Sequence, residues 1–503
     1  MIWYLYILSQ QLPTLLITCQ VGTLISYVSY SLNWQPCASF HFMSPIGCDE
    51  GPVVAYRAST PQMDLKAVVM AAGTGSRMRE ITSGIPKCLL PVGNVPLIYC
   101  SLNILKHAGF LEAIIIVREN EKAKVQNAIE NKFDLKLDIV GIPKHEDWGT
   151  ADSLRHIKDK IKSFNVIVLS CDIVSDFALQ NMIHLHRMRC SSLTVLLVPF
   201  PNSLKEAEVP GSKKKAKFER DIIAMDSQGK LIFINAEADF EETVPFKRYI
   251  LEQNSEIKVY GNLMDAHVYI INKDLVSFIL HNAHISTIKG EFLPVAVKKQ
   301  FNIKKKSSDT ECNESSLAPT LNQECIDLKN LAFELSSAKA SMYNSQSAME
   351  ENLVCYSYID RDCFCYRVNT LVAYADINKK VSKNFSLMGV EQVKSQQFQK
   401  SQLDADSVVG GNSELLPKAS IKQTALGSNC KLGEKTKITN SIVMDNVTFG
   451  KECVIQNSII CSNVAIENNC SLKNSIIGPD QTIKTLTKLN YEIFQGSDHL
   501  MEI

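Results

Sequence analysis

An excess of either charge is absent from this chain: 53 Lys plus Arg are matched by 53 Asp plus Glu over 503 residues. Binding nucleic acid through phosphate neutralisation needs a basic excess, at least locally. The only dense basic run, Lys213, Lys214, Lys215 and Lys217, has acidic residues on both sides and reads as a solvated loop. No direct nucleic-acid partner follows from it. Paired cysteines are also missing. The 16 cysteines are scattered, and the nearest two, Cys363 and Cys365, lack the two-residue spacer of a zinc knuckle or redox pair. They read as reduced thiols of a cytosolic protein. Nor is there a uniformly apolar run of about 20 residues, the usual requirement for a spanning helix. Met1 to Cys48 contains no Asp, Glu, Lys or Arg, but Leu15 to Leu32 is broken by Ser, Thr, Tyr and Gln, and a basic n-region for a signal peptide is absent. Residues 1–62 therefore read as an apolar leader ahead of Met63, disordered or an extension of the gene model, with a membrane anchor as the alternative. What is present is ordinary globular material, 45% hydrophobic and 21% charged. At about 150 residues per domain it has room for about three domains.

From Leu65 the pattern becomes regular. A β-branched run to Ala71 ends in a Gly-containing loop, and Pro96 and Gly109 then bracket a helix whose Ile98, Leu102 and Leu105 share one face. Strands at Ala113 to Val117 and Leu137 to Ile142 flank a helix around Lys122 to Asn131. Thr150 opens a helix through Ile161, and the apolar run Val166 to Leu169 stops at Ser170, Cys171 and Asp172. Strands alternating with helices imply a doubly wound, mainly parallel α/β sheet, with ligands outside the carboxyl ends of the strands. The first domain is placed at 63–303. A polar insertion at 304–351 and a linker at 381–418 are expected to be largely disordered. Between them, 352–380 carries an ordered element, Tyr366 to Asn378, that must pack back onto the first domain.

The last ordered stretch, 419–490, repeats every 17 residues, and a short tail, 491–503, follows it. Leu426, Val443, Ile460 and Ile477 form one row; Leu432, Phe449 and Ile466 a second; Ile438, Ile455 and Leu472 a third; and Asn-Ser-Ile recurs at Asn440, Asn457 and Asn474. Three steps of about six residues make one turn of a triangular solenoid, the hexapeptide parallel β-helix. No coil buries its apolar row alone, whereas stacked coils form a continuous core. Cys430, Val447 and Val464 keep the same period, so Cys430, Cys453 and Cys470 read as core filler.

Chemistry concentrates after the first strand, at Gly73, Thr74, Gly75, Ser76, Arg77. Two glycines let backbone approach a polyphosphate and Arg77 supplies charge. Met78 stands where a dinucleotide fingerprint needs its third glycine, and no Gly-Lys-Ser or Gly-Lys-Thr occurs, so neither the Rossmann motif nor the P-loop is met. With Ile85, Pro86, Lys87 and Leu90, Pro91, Val92 following, the segment resembles the sugar-nucleotide pyrophosphorylase family, nucleotidyltransferases that pass a nucleotidyl group from a nucleoside triphosphate to a sugar phosphate. The resemblance implies a Rossmann-like nucleotidyltransferase domain followed by a left-handed β-helix. It also implies that Gly73, Gly75, Arg77, Lys87, Gly149 and Asp172 correspond to the triphosphate loop, catalytic Arg, phosphate-binding Lys, base contact and metal ligand of that family. Active members carry a second metal carboxylate; the corresponding stretch here, Arg367 to Asn378, lacks the aligned acid, and Asp376 falls on the wrong side of Tyr374. A Lys-Pro for the sugar phosphate is not evident between Asp221 and Tyr260.

These departures, with Asp172 to Asp176, Val259 to Tyr269, Ile288 to Pro294, Arg367 to Tyr374 and the terminal Leu500, Met501, Glu502, Ile503, are similar to the gamma-subunit family of eukaryotic translation initiation factor two B. That resemblance implies a non-catalytic scaffold in a cytosolic hetero-oligomer with alpha, beta, delta and epsilon subunits, which exchanges GDP for GTP on initiation factor two. It implies no cofactor, no metal and no catalytic residue, and leaves the six positions above as a vestigial nucleotide site. An active enzyme resembling GDP-mannose pyrophosphorylases is the alternative. Asp265 and His267 lie in an alternating run and read as surface strand positions. His184 and His186, two apart on a helix, share no ligand-binding face.

Overall fold

The computed structural model describes residues 65–301, 353–380 and 402–495, apart from some short loop stretches, together with 16–21 and 24–29. The 304–351 insertion, residues 381–401 of the expected linker, 496–503 of the tail and nearly all of the leader lie outside the described residues. Within the leader, Leu16–Val21 pairs antiparallel with Leu24–Ser29.

The first domain is built on seven strands: β1 Leu65–Met70, β2 Glu112–Arg118, β3 Lys136–Ile142, β4 Asn165–Ser170, β5 Leu193–Pro199, β6 Leu263–Ile271 and β7 Cys355–Ile359. Their order across the sheet is β7-β5-β6-β4-β1-β2-β3. Only β6 runs against its neighbours β4 and β5; every other pair is parallel. The chain goes from β1 outward through β2 and β3, then returns to place β4 on the other side of β1. The gap between β1 and β4 is therefore the topological switch point at which α/β sheets bind ligands. The strands are apolar on both faces because helices cover both: Ala67 and Val69 join one core cluster, Val68 and Met70 the other.

The expected helix after Pro96 is observed at Ile98–His107, and the one from Thr150 ends at His156, with a separate turn at Lys158–Ile161. Residues 353–380 return to this domain. β7 extends the sheet beside β5, Cys365–Arg367 pairs antiparallel with Ile173–Ser175, and the helix Leu371–Lys380 buries Tyr374 completely. The Tyr374 hydroxyl donates to the Pro91 carbonyl at 2.8 Å.

The β-helix stacks three parallel sheets of six, six and five short strands. The three apolar rows pair in register, Leu426 with Val443 and Ile460 with Ile477, for example. Each extends further than the repeat alone indicates. Residues 402–418, expected to be linker, form an additional first coil, with Val409 beneath Leu426 and Leu415 beneath Leu432. Its third strand escapes a 17-residue count because Leu403 pairs with Ile421, one residue out of step. At the other end Phe494 pairs with Ile477, inside the expected tail. Asn440, Asn457 and Asn474 take φ of 52°, 50° and 48° at one corner of successive coils, a left-handed conformation that Asn tolerates better than most residues. Outward-facing Ile442, Met444, Ile459, Cys461 and Ile476 join the core of the first domain, so the solenoid is packed against it. No helix among the described residues is long and apolar enough to cross a membrane.

Candidate functional site

A cleft of about 560 Å³ opens at the carboxyl ends of β1 and β4. The loop after β1 forms one lip. Gly75 has φ 70°, and a Cβ there would lie 2.9 Å from the Thr82 methyl, so glycine is required twice over; a Cβ on Gly73 would meet nothing within 4 Å. Arg77 extends from this loop to Glu219 at 2.7 Å, a pair in which both side chains are about half exposed. Gly149 is not on the wall: its Cα packs so tightly on Ser286 that a Cβ would come within 2.1 Å of that carbonyl oxygen, and its neighbour Thr150 faces the cleft instead.

Lys87 and Asp172 meet directly. Lys87 Nζ lies 2.6 Å from Asp172 Oδ2, and the Ser170 hydroxyl donates to Oδ1 at 2.6 Å. Arg367 Nε stands 3.6 Å from the same Oδ2. Asp172 is 2% exposed. Burial on its own would raise its pKa, but Lys87 and Arg367 hold the carboxyl well below the usual range. Both oxygens of the expected metal ligand are thus engaged by protein donors, and the carboxylates that line the cleft are Glu219, paired with Arg77, and Asp239. Asp376 is remote from this arrangement. Its Oδ2 accepts from Ser203 at 2.7 Å and from Tyr366 and Lys380 at 2.9 Å each. A family magnesium ion needs a set of oxygen ligands; among the described residues no group of three or more His, Cys, Asp or Glu is placed to hold a metal ion, and the Lys87 ammonium already faces Asp172, so these residues do not fit it.

Lys289 and His267 line the cleft without having been expected there. Lys289 sits on a π-helical turn, Ile288–Phe292, and its Nζ lies 2.8 Å from buried Asp221. Such turns recur at functional sites. His267 corrects a sequence expectation: it and Asp265 are not surface positions. β6 is covered on both faces, Asp265 is 1% exposed, and the alternation fails because the β5–β6 register shifts between Val195 and Leu197. At that bulge His267 takes φ 56° and turns towards the cleft. Its imidazole is held neutral, well below its ordinary pKa, by burial and by the nearby cations Arg367 and Lys289. Asp265 accepts from the Tyr269 hydroxyl and from the His267 amide, the latter at 2.8 Å. Burial raises its carboxyl despite Lys289. A nine-residue strand was the available signal, since so long a run across a sheet interior is covered on both faces. His186 lies buried on the helix Leu179–Met188 with its Nδ1 2.8 Å from Thr194 Oγ1, a packing role.

A model of the nucleotidyl transferase family matches residues 66–207, and one described as the EIF2B subunit epsilon LbH domain matches 390–489. Translation initiation factor eIF2B subunit gamma of Caenorhabditis elegans is 30% identical over 255 residues, 50% of this chain and 61% of that relative. The Dictyostelium discoideum protein of the same name is 28% identical over 345 residues, 64% of this chain and 76% of the relative. A probable mannose-1-phosphate guanylyltransferase of Arabidopsis thaliana is 26% identical over 162 residues, 31% of this chain and 44% of the relative. The chain thus spans less than two thirds of the nematode relative's length. Likeness to the gamma subunits extends over more of the chain than likeness to the guanylyltransferase does. With its nucleotidyltransferase-like domain and left-handed β-helix, the chain is similar to the eIF2B gamma subunits.

Proposed function

We propose that this chain is a non-catalytic subunit of the guanine nucleotide exchange factor that replaces GDP with GTP on translation initiation factor two. It acts with the epsilon subunit, beside alpha, beta and delta subunits, in the cytosol. The observation that carries the reading is the occupied carboxylate: Asp172 is bound by Lys87 and Ser170 and flanked by Arg367. Nucleotidyl transfer depends on charge neutralisation at the transferring phosphate by metal and preorganised cations. A site whose acid is spent on its own cations is a poor transferase. Gly73, Gly75, Arg77, Lys87, Gly149 and Asp172 are, on this reading, the remains of a nucleotide site, of which Gly75, Lys87, Gly149 and Asp172 now help hold the local fold. The test is the rate of labelled GDP release from initiation factor two by the purified epsilon subunit, with and without this chain. Faster release with co-elution of the two subunits is expected; neither effect would overturn the reading.

The second reading, a sugar-phosphate guanylyltransferase, is favoured by the placement of the Gly-rich loop at the switch point. Pyrophosphate exchange with GTP and mannose 1-phosphate addresses it. Turnover of about 1 per second or above, ordinary for enzymes, would replace the scaffold reading.

A further inference from the structure

We propose that one flat face of the β-helix, the sheet that runs from Ser420–Lys422 to Lys488–Asn490, docks an acidic segment of a partner polypeptide through Lys422, Lys437, Lys473 and Lys488.

Charge along the stack is the first observation. The middle residues of these strands, Ile421, Ile438, Ile455, Leu472 and Leu489, point into the solenoid core, so the residues on either side of each point outward. Four of the outward residues are exposed lysines; the others are Ser420, Thr439, Val454, Gln456, Ser471 and Asn490, and none is acidic. Stacking sets each residue beside those 17 positions away, which makes a carboxylate partner easy to supply. Elsewhere on the solenoid it is supplied: Lys431 meets Glu414, Lys435 meets Glu452 and Lys451 meets Glu434, each one coil away, at 2.6 to 3.6 Å. On this face the corresponding neighbours are neutral. Lys422 lies beside Thr439, Lys437 between Ser420 and Val454, Lys473 between Gln456 and Asn490, and Lys488 beside Ser471. None of the four lysines has an ion-pair partner among the described residues. A one-sign patch of this kind attracts a surface of the opposite sign.

Spacing narrows the occupant. Lys422 and Lys437 lie on adjacent strands, as do Lys473 and Lys488, and the second pair stands three coils above the first. At about 4.8 Å per strand the pairs repeat after roughly 14 Å, which an extended chain spans in about four residues, so acids on one side of an extended segment can meet both pairs. The basic run of the first domain adds charge at one end. Its loop is anchored to the stack by the Gly211 amide, which donates to the Asn474 carbonyl at 2.9 Å. Lys213 Nζ stands 5.7 Å from the centre of the Tyr491 ring, and the Tyr491 amide donates to the Lys473 carbonyl at 3.1 Å. Acids stand at the margins of the face: Asp404 in the first coil, Glu452 already paired with Lys435, and Glu208 and Glu492 beside Tyr491. Nucleic acid fits less well, since single strands are held by aromatic stacking and arginine, and the outward positions carry neither.

The experiment is fluorescence anisotropy of the full chain with a labelled peptide of about 12 alternating Glu and Ser residues, its Gln-Ser counterpart, and a uridine RNA of about 12 nucleotides, at ~20 and ~200 mM salt. Saturable, salt-sensitive binding of the Glu peptide, and none of the Gln peptide, is expected. Lys422→Gln, Lys437→Gln, Lys473→Gln and Lys488→Gln combined should weaken it at least ~10-fold, four exposed pairs at about two-fold each. Lys431→Gln, Lys435→Gln and Lys451→Gln combined, which remove lysines already matched, should change it by less than ~2-fold. Carbodiimide, which joins amines to carboxylates in contact, should link the Glu peptide to the four lysines of the face. Equal weakening in the two variants would reduce the effect to diffuse charge and overturn the proposal, as would links confined to other lysines, or no saturable binding at millimolar peptide in low salt. RNA that binds more tightly than the Glu peptide and depends on the same four lysines would overturn it in favour of a nucleic-acid face.

Discussion

In the β-helix each residue meets a partner about 17 positions away, coil after coil, whereas the cleft gathers Lys87, Asp172, His267, Lys289 and Arg367 from five separate stretches of chain. The solenoid is held by the same apolar contact made many times. The cleft is held by a few buried ion pairs, each made once. A solenoid of this kind is close to a one-dimensional sum of coils and their interfaces, so damage should stay near the coil that suffers it. In the cleft, changing one charge alters what every neighbouring charge can do. The comparison therefore predicts different responses to mutation: large and local in the solenoid, smaller and electrostatic in the cleft.

The largest expected effect is a charge placed inside the stack. Ile455 is fully buried between Ile438 and Leu472 in the third row. Ile455→Asp removes apolar burial and leaves a carboxylate without a partner, two of the mechanisms that produce losses beyond about 4 kcal/mol. Hydrogen exchange should show the amides of that coil and its neighbours unprotected while β1 and β4 keep their protection. Equal loss in both domains would mean that the solenoid is not the separable unit the contrast requires.

Legibility in the sequence divides along the same line. Ile438, Ile455 and Leu472 announce their contact because repetition turns a three-dimensional neighbour into a fixed spacing. The Gly73 loop and Asp172 could be placed at one switch point because strand ends follow from apolar runs. The first coil, 402–418, was hidden because its rows are polar apart from a few residues and one strand is a residue out of step. The ion pair of Lys87 with Asp172 was hidden for another reason. Each residue suggested an external ligand, a phosphate and a metal respectively, and nothing in the chain indicates that they satisfy each other. Arg367 and His267 lie on a ribbon and a bulge, features set by tertiary pairing and not by periodicity.

Lys87→Met tests the pair. Removing one partner of a buried ion pair typically costs about 3–5 kcal/mol, and Arg367 beside Asp172 should hold the loss near the lower end. Arg77→Met, on a half-exposed pair at the rim, should change stability by less than about 1 kcal/mol. Urea denaturation of both variants checks the difference. Equal losses would mean that burial does not set the strength of pairing in the cleft.

Glycines sharpen the contrast with smaller changes. A Cβ on Gly433 would come within 2.2 Å of the Gly450 carbonyl oxygen in the next coil, so Gly433→Ala must push two coils apart, costing about 1–3 kcal/mol. Gly73→Ala meets nothing within 4 Å and should leave the melting temperature unchanged. Should Gly433→Ala melt like the parent, the coils would have to be less tightly stacked than these contacts indicate.

The smallest effect near neutral pH belongs to His186, which lies outside both regions and serves as the control. Burial, with Arg187 adding to it, lowers its pKa to about 4, against an ordinary value of 6.5. The unfolded chain therefore binds a proton between those values that the folded chain refuses. The resulting stability is fully present above pH 6.5 and declines as pH falls towards 4. At about 1.36 kcal/mol for each pH unit below the ordinary value, roughly 1.4 kcal/mol is lost by pH 5.5 relative to pH 8. His186→Gln can still bond to the Thr194 hydroxyl but does not titrate, so its urea midpoint should fall less than the parent's over the same interval. Parallel decline in the two proteins would place the acid sensitivity elsewhere, with the carboxylates of the cleft as the next groups to vary.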